Sequence, residues 1–374
     1  MPVGYTPYFQ LFKDGNDITG QFQDRCTKIQ VEITDGDGEN DTATISLDDR
    51  DWLISRPFKG DKLQLHLGYR EIGLAYMGEF EVGEVVFSFM PKQIDLVCNS
   101  SGTQGRLRAP TNNDFSNTTL GDIVKRIAQG AGLQAMVEEG LGSLKIDFRN
   151  QVTSGYHLIN QLERQFGAMA KIENGKLIFV PRGALSNAEG RQMPVLVFDG
   201  SHFAQLQVRD TNRSEYRGVR ASYRDQADNV RRFVEQGTQG GGEDNPTEWF
   251  QIDREFRSRA EAEAAAKARA AALRRATGDL AATMAKGDPW IRATQTMVIG
   301  STRDGIDGSY EIRRAVHIYV KEQGIGTTIE AGPRGDGSGV DLSGRDPGTV
   351  LKPPPGGTIG EVLPGNQGRR QGPI

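Results

Sequence analysis

Four histidines, His66, His157, His202 and His317, are the first residues to test for chemistry, since imidazole is a common metal ligand and general base near neutral pH. No two lie close in sequence, and no H-E-x-x-H or Cys/His ligand spacing is present. His66 and His317 fall on predicted strands and His157 on a predicted helix, so all four read as structural. Asp35, Asp37, Glu39 and Asp41 alternate in a way that would wrap a calcium ion. The twelfth position from Asp35 is Ser46, where an EF-hand loop needs a bidentate glutamate, and no helices flank the run. It is expected to be a solvated hairpin tip. Phosphate loops, dinucleotide fingerprints and the G-x-S-x-G elbow are all missing. Paired carboxylates are a weak signal in a chain with 49 acidic residues, because a chance pair is nearly guaranteed. Arg217, Arg220, Arg224, Arg231 and Arg232 are the one basic cluster. Their spacing on predicted strands reads as a solvated face or an inter-subunit surface rather than a nucleic-acid site. Cys26 and Cys98 sit in alternating apolar patterns and read as reduced, buried strand residues, although the sequence leaves a disulfide open. No catalytic residue, metal site or cofactor is expected.

The elements that would position these residues are mostly strands. Ile29, Val31 and Ile33 alternate with polar residues, and after the turn-rich DGDGEND so do Ala43, Ile45 and Leu47. This is the period of a strand with one buried face, and the two runs predict a hairpin. Leu63, Leu65, Leu67 and Tyr69 form a third run, and Ile94, Leu96 and Cys98 a fourth. Alternating runs without intervening helix predict a small barrel or sandwich.

The character changes after about residue 104. Leu120, Ile123, Val124 and Ile127 recur at helical spacing, with Thr119 and Asp122 as a capping pair and Gly130 as a stop. Leu144, Ile146 and Phe148 alternate as a strand. Leu158, Leu162 and Phe166 share one face of a second helix that Gly167 ends. AMAKI-ENG-KLIFV then predicts a hairpin turning at Asn174-Gly175. From about residue 194 strands return in VLVFDG, QLQVRD, YRGVRASYRD and VRRFVEQG, followed by the loop GTQGGGEDN. Ser258 and Glu261 form a capping-box pattern before an alanine-rich helix, whose small side chains bury little area unless it packs close. WIRATQTMVIG, YEIRRAVHIYVKE and GTTIEAG complete the strand set. Beyond residue 332 the chain has almost no apolar period and reads as an extended tail ordered only by partners. Pro353, Pro354 and Pro355 there cannot donate to a sheet or helix, which marks them as candidate partner-binding residues.

Composition agrees with this outline. A chain of 374 residues predicts two or three domains at about 150 residues each, and 47 glycines predict many tight turns. A formal net charge of −4 gives no global basic footprint for nucleic acid. No stretch approaches the roughly 18–20 apolar residues of a membrane span, and the start lacks the pattern of a secretory signal.

Three phrases carry a resemblance. LINQLERQFGAMAKIENGKLIFV lies in the central region, and SLDDRDWLISRPFKGDKLQLHLGY describes a strand, a bend and a second strand. Late in the chain Asp307, Gly308, Tyr310, Ile312, Val316 and His317 fall in a dG-x-Y-x-I-x-x-V-x-H pattern followed by GIGTTIEAG. In order of elements the chain resembles, over residues 5 to 332, the baseplate hub proteins of contractile phage tails, the late-control protein D family. It is similar also to the hub half of type VI secretion spike proteins. The resemblance implies a mainly β fold with an α+β insertion: a first tube-like β-barrel at 1–103, an inserted α/β domain at 104–190, and a second tube-like barrel with the alanine-rich helix at 191–332. The extended tail, 333–374, lies outside it. What it implies for function is structural rather than enzymatic, a homotrimer matching a six-fold tail tube to a three-fold central spike. Tail tube, other baseplate proteins and a tape measure protein would be its partners, in a virion tail baseplate assembled in the host bacterial cytoplasm. Phage and tailocin machines fit equally. A tail-associated cell-wall hydrolase is one rival, predicting convergent carboxylates in a cleft. A carbohydrate-binding module is the other, predicting aromatic platforms in a chain with only 3 tryptophans.

Overall fold

The computed structural model describes residues 5–36, 40–55, 59–100, 107–173, 175–183, 195–210, 216–225, 227–238, 248–303 and 305–334. The fold is mainly β, and its largest unit is a sheet of thirteen strands.

The first part of that sheet follows from the period-2 pattern. Its strands are β1 (Pro7–Lys13), β2 (Asn16–Asp17), β3 (Cys26–Thr34), β4 (Thr42–Asp48), β5 (Lys62–Tyr69), β6 (Gly73–Ser88) and β7 (Gln93–Ser100), with one helical turn, α1 (Thr19–Phe22), after β2. β3 and β4 form the expected hairpin, with Ile29 opposite Ile45 and Val31 opposite Ala43. Ala43 and Ile45 in turn face Cys98 and Leu96 on β7. These side chains, with Leu63, Leu65 and Leu67, make one buried cluster. Cys26 and Cys98 are both buried with free thiols. They lie on β3 and β7, which β4 separates, so two strand spacings of about 4.8 Å put them beyond disulfide reach. Burial pushes both thiols up to about 12.

The central residues build two small sheets around their own core. β8 (Asn113–Thr119) precedes α2 (Leu120–Gly130), then come β9 (Gln134–Val137), α3 (Glu139–Gly142), β10 (Lys145–Gln151), α4 (Gly155–Phe166), β11 (Ala168–Glu173) and β12 (Lys176–Pro181). Thr119 caps α2 by accepting the Asp122 N–H, and Gly167 ends α4 in the left-handed region, as the sequence predicts. Leu120, Ile123, Val124, Leu158, Leu162 and Phe166 are buried together. Phe148 departs from the expected pattern, because it points out from β10 and is exposed. The predicted turn residue Asn174 lies outside the described residues.

The later strands are β13 (Leu196–Phe198), β14 (Phe203–Asp210), β15 (Gly218–Arg224), β16 (Arg231–Gly237), β17 (Trp249–Phe256), β18 (Gly278–Met284), β19 (Thr296–Ile299), β20 (Gly308–Val320) and β21 (Gly324–Pro333). A 3-10 turn over Gly200–His202 joins β13 to β14. The alanine-rich segment is α5 (Arg259–Arg275), capped by Ser258 accepting the Glu261 N–H. Its Ala262, Ala265, Ala266 and Ala270 pack close against β15, so small side chains allow burial rather than prevent it. β16, β15 and β17 form a separate three-stranded sheet under α5. The other late strands do not stand apart: β20 pairs with β3, Ile318 opposite Gln30 and Ala315 opposite Ile33, which makes one continuous sheet from β14 to β2. Where the sequence predicts barrels, no sheet closes on itself among the described residues.

Candidate assembly surfaces

β6 continues past the end of β5. Its residues beyond Glu81 pair only with β7, Val85 opposite Leu96 and Phe87 opposite Ile94. This overhang and its turn carry Val86, Phe87, Phe89 and Met90 to the surface, Phe89 at 66% and Met90 at 85% exposure. From the loop after β4, Trp52 and Leu53 join them, and the Trp52 and Phe89 rings lie 5.9 Å apart. Lys92 sits 5.0 Å over the Trp52 ring. A contiguous exposed apolar patch of this kind marks a surface that buries itself against a partner. The sequence held a signal: Phe89 and Met90 occupy a turn, where polar residues are the norm.

Asp35 and Asp41, which flank the acidic tip between β3 and β4, are paired rather than solvated. Arg182, just past β12, donates to Asp35 at 2.7 Å, and Lys171 of β11 pairs with Asp41 at 2.9 Å. Gly36, at φ +98°, approaches β11 so closely that a Cβ would sit 2.9 Å from the Ala170 carbonyl. Asp37, Gly38 and Glu39 lie outside the described residues. Behind the Asp35–Arg182 pair Glu311 of β20 is 2% exposed, and its carboxylate oxygens have no hydrogen-bond partner among the described residues. Burial raises its carboxyl above the usual range, while Arg275 and Arg182 oppose that rise. Thus Asp35 just after β3, Arg182 after β12, Arg275 at the C-terminus of α5 and Glu311 of β20 meet in one charged junction.

A second junction is the segment between β18 and β19. The Tyr69 hydroxyl donates to the Gly287 carbonyl at 2.7 Å, and Arg292 donates to the Tyr76 carbonyl at 2.7 Å. Gly287 has no alternative residue, since a Cβ would lie 2.1 Å from the Ile325 carbonyl. Trp290 and Ala293 pack into the core of β1–β7. His317, fully buried, donates from Nε2 to the Ile291 carbonyl at 2.9 Å, and its Nδ1 faces the Thr327 hydroxyl at 3.1 Å. That hydroxyl accepts the Asp288 N–H. Burial drops His317 to about 3 and pushes Asp288 up to about 7, the latter opposed by the Trp290 N–H, Arg292 and Lys286.

The remaining sequence candidates are scattered. His66 packs between Phe12 and Tyr76, and His202 accepts the Asp199 N–H. The five arginines of the basic cluster do share the outer region of the three-stranded sheet. There Glu235 pairs with Arg220, Glu255 with Arg224 and Arg231, and Asp225 and Asp228 with Arg232. Carboxylates supplied by β16, β17 and the turn between β15 and β16 offset that charge, a pairing that spacing alone did not reveal. Pro353, Pro354 and Pro355 lie outside the described residues. Among the described residues no group of three or more His, Cys, Asp or Glu could hold a metal, and no helix is long and apolar enough to cross a membrane.

No family model matches the chain. It is similar to two curated relatives, each described as a probable baseplate hub protein. The one from Escherichia phage P2 is 30% identical over 220 residues, 58% of this chain and 56% of the relative. The one from Escherichia phage 186 is 29% identical over 219 residues, with the same coverage of both chains. The chain thus spans a little over half the length of the curated relatives it matches. Among solved structures it is similar in fold to a 43 kDa tail protein of prophage MuSo2 from Shewanella oneidensis, with a TM-score of 0.63 and 15% identity over 89% of this chain and 99% of the other. A tail protein from Neisseria meningitidis MC58 gives 0.62 and 11% at the same coverage. The Escherichia coli c3393 protein, a type VI secretion component described as structurally similar to the T4 tail proteins gp27 and gp5, gives 0.53 and 8% over 87% of this chain and 77% of the other.

Proposed function

We propose that this chain is a structural, non-enzymatic hub of a contractile-tail baseplate, acting as a closed trimer that adapts a six-fold tail tube to a three-fold central spike. The observation that carries the reading is the similarity, over 220 and 219 residues, to two probable baseplate hub proteins. Two surface features support it. The thirteen-stranded sheet ends in β14 on one side and in β1 and β2 on the other, and strand ends of this kind seek partners. The exposed patch around Phe89, Met90 and Trp52 offers apolar area for burial in an assembly.

In this reading residues 1–103 and 191–332 are the two tube-like units, joined through the β3–β20 pairing, and 104–190 is the insertion. Residues 333–374, with Pro353, Pro354 and Pro355, lie along the spike or a neighbouring subunit. The spike, the tail tube, other baseplate proteins and the tape measure protein are the partners, in a tail baseplate whose parts are made in the host cytoplasm. Single-particle imaging of the purified chain, alone and with its spike, tests this directly. Three-fold rings are expected, and they should be lost in a Phe89→Ser, Met90→Ser variant that melts like the parent. A monomer under both conditions contradicts the hub.

A further inference from the structure

A cleft of about 760 Å³ opens between β10 and α4 on one side and β17 and α5 on the other. Its wall holds five arginines, Arg149, Arg164, Arg254, Arg257 and Arg269, against one acid, Asp253. That reverses the balance of a chain whose net charge is −4. Four of these side chains differ from the basic cluster on β15 and β16 in their pairing. Arg149, Arg254, Arg257 and Arg269 form no salt bridge among the described residues.

Aromatic rings and amides hold them instead. Arg257 lies 5.1 Å from the Phe148 ring centre, Arg269 4.4 Å from Phe250, and Arg254 5.3 Å from Phe256. Arg149 donates to Gln161 at 2.7 Å and to Gln165 at 3.2 Å, and Arg254 donates to that same Gln165 oxygen at 3.2 Å. Two guanidinium groups therefore converge on one neutral acceptor. The buried Glu261 is an opposing charge, and burial raises its carboxyl above the usual range while Arg254 and Arg149 oppose that rise. Burial and the neighbouring Arg254 also lower Arg149.

Arg257 and Arg269, set over rings, give no side-chain N–H to a protein acceptor among the described residues, an arrangement suited to bidentate binding of carboxylate or phosphate. The occupant follows from the rest of the wall. Phe256 is buried and Phe250 half-buried beneath its guanidinium, so only Phe148 is open for a base to stack on. A chain of net charge −4 has no general excess of cations with which to follow a phosphate backbone beyond the cleft. We propose that this cleft binds carboxylates, and that its occupant is an extended acidic segment of a partner protein.

The full chain is titrated with a short fluorescent peptide of alternating glutamate and serine, its glutamine counterpart, and single-stranded oligothymidylate. The glutamate peptide should bind, the glutamine peptide should not, and binding should weaken as salt shortens the screening length. Arg254→Ala with Arg269→Ala should weaken it by about tenfold or more, on the order of 1.4 kcal/mol, at unchanged melting temperature, and Arg257→Ala should weaken it alone. No glutamate-peptide binding at low salt, undiminished binding in both variants, or tighter binding of oligothymidylate would each overturn the proposal. None of these readings depends on trimer or spike, so the cleft and the hub can fail separately.

Discussion

His317 and Asp288 meet at one hydroxyl, that of Thr327, and burial shifts them in opposite senses. Asp288 in the folded chain titrates near 7, well above its unfolded value. Between about pH 4 and pH 7 the folded state therefore holds a proton that the unfolded state has released, and stability falls as pH rises through that window. Asn in place of Asp cannot ionise and keeps an oxygen for the Trp290 N–H. Asp288→Asn is thus expected to gain stability relative to the parent as pH rises from about 4 to 7 and to hold that gain above it. Denaturant melts at several pH values measure the difference, and a pH-independent difference would contradict the assignment. His317 has the reverse sign: its neutral form contributes stability above about pH 6.5 that is lost as pH falls toward about 3.

At the scale of elements, α2 and α4 hold the central region together by apolar stripes at helical spacing. Ile123 and Leu162 are both buried in that core. Ile123→Ala or Leu162→Ala is expected to cost about 2–5 kcal/mol, the lost transfer energy plus the cavity left behind. Differential scanning calorimetry checks this, and two variants that melt like the parent would mean the helix faces are wrongly assigned. α5 works by another means. Its alanines bring the helix axis close to β15, so its stability rests on close approach and on the Ser258 cap more than on buried area.

Over the whole molecule, stretches far apart in sequence are locked by few contacts: the β3–β20 pairing, the Asp35–Arg182 pair and the segment around Gly287. The tail beyond Arg334 lies outside the described residues, and on the proposed hub reading it serves as a tether. A chain of about 40 residues extended at about 3.3 Å each spans well over ~100 Å, enough to follow a spike. Deleting residues 345 to 374 is therefore expected to leave melting and ring formation intact while spike attachment or particle infectivity is lost. Normal particles assembled from the truncated chain would remove the tether and leave the hub standing.

Sequence by itself determined the local elements, because their causes are local. Alternation placed Ile29, Ile45 and Leu65 on buried faces, and Thr119, Ser258 and Gly167 set helix ends through caps and a left-handed turn. β1, β6, β17 and β18 were less legible: GDLAATM of β18 continues the alanine-rich composition of α5, and β6 gains its strand only from β5 and β7 on either side. Tertiary structure alone decided the rest. Asp35 and Asp41 look like a solvated tip until Arg182 and Lys171, more than a hundred residues away, arrive to pair with them. The cleft arginines are spread over β10, α4, β17, the link after β17 and α5, with no spacing in common, and folding makes them one surface. Whether a charge is paired, and whether an apolar residue is core or interface, depends on neighbours distant in sequence, and only the packed chain specifies those neighbours.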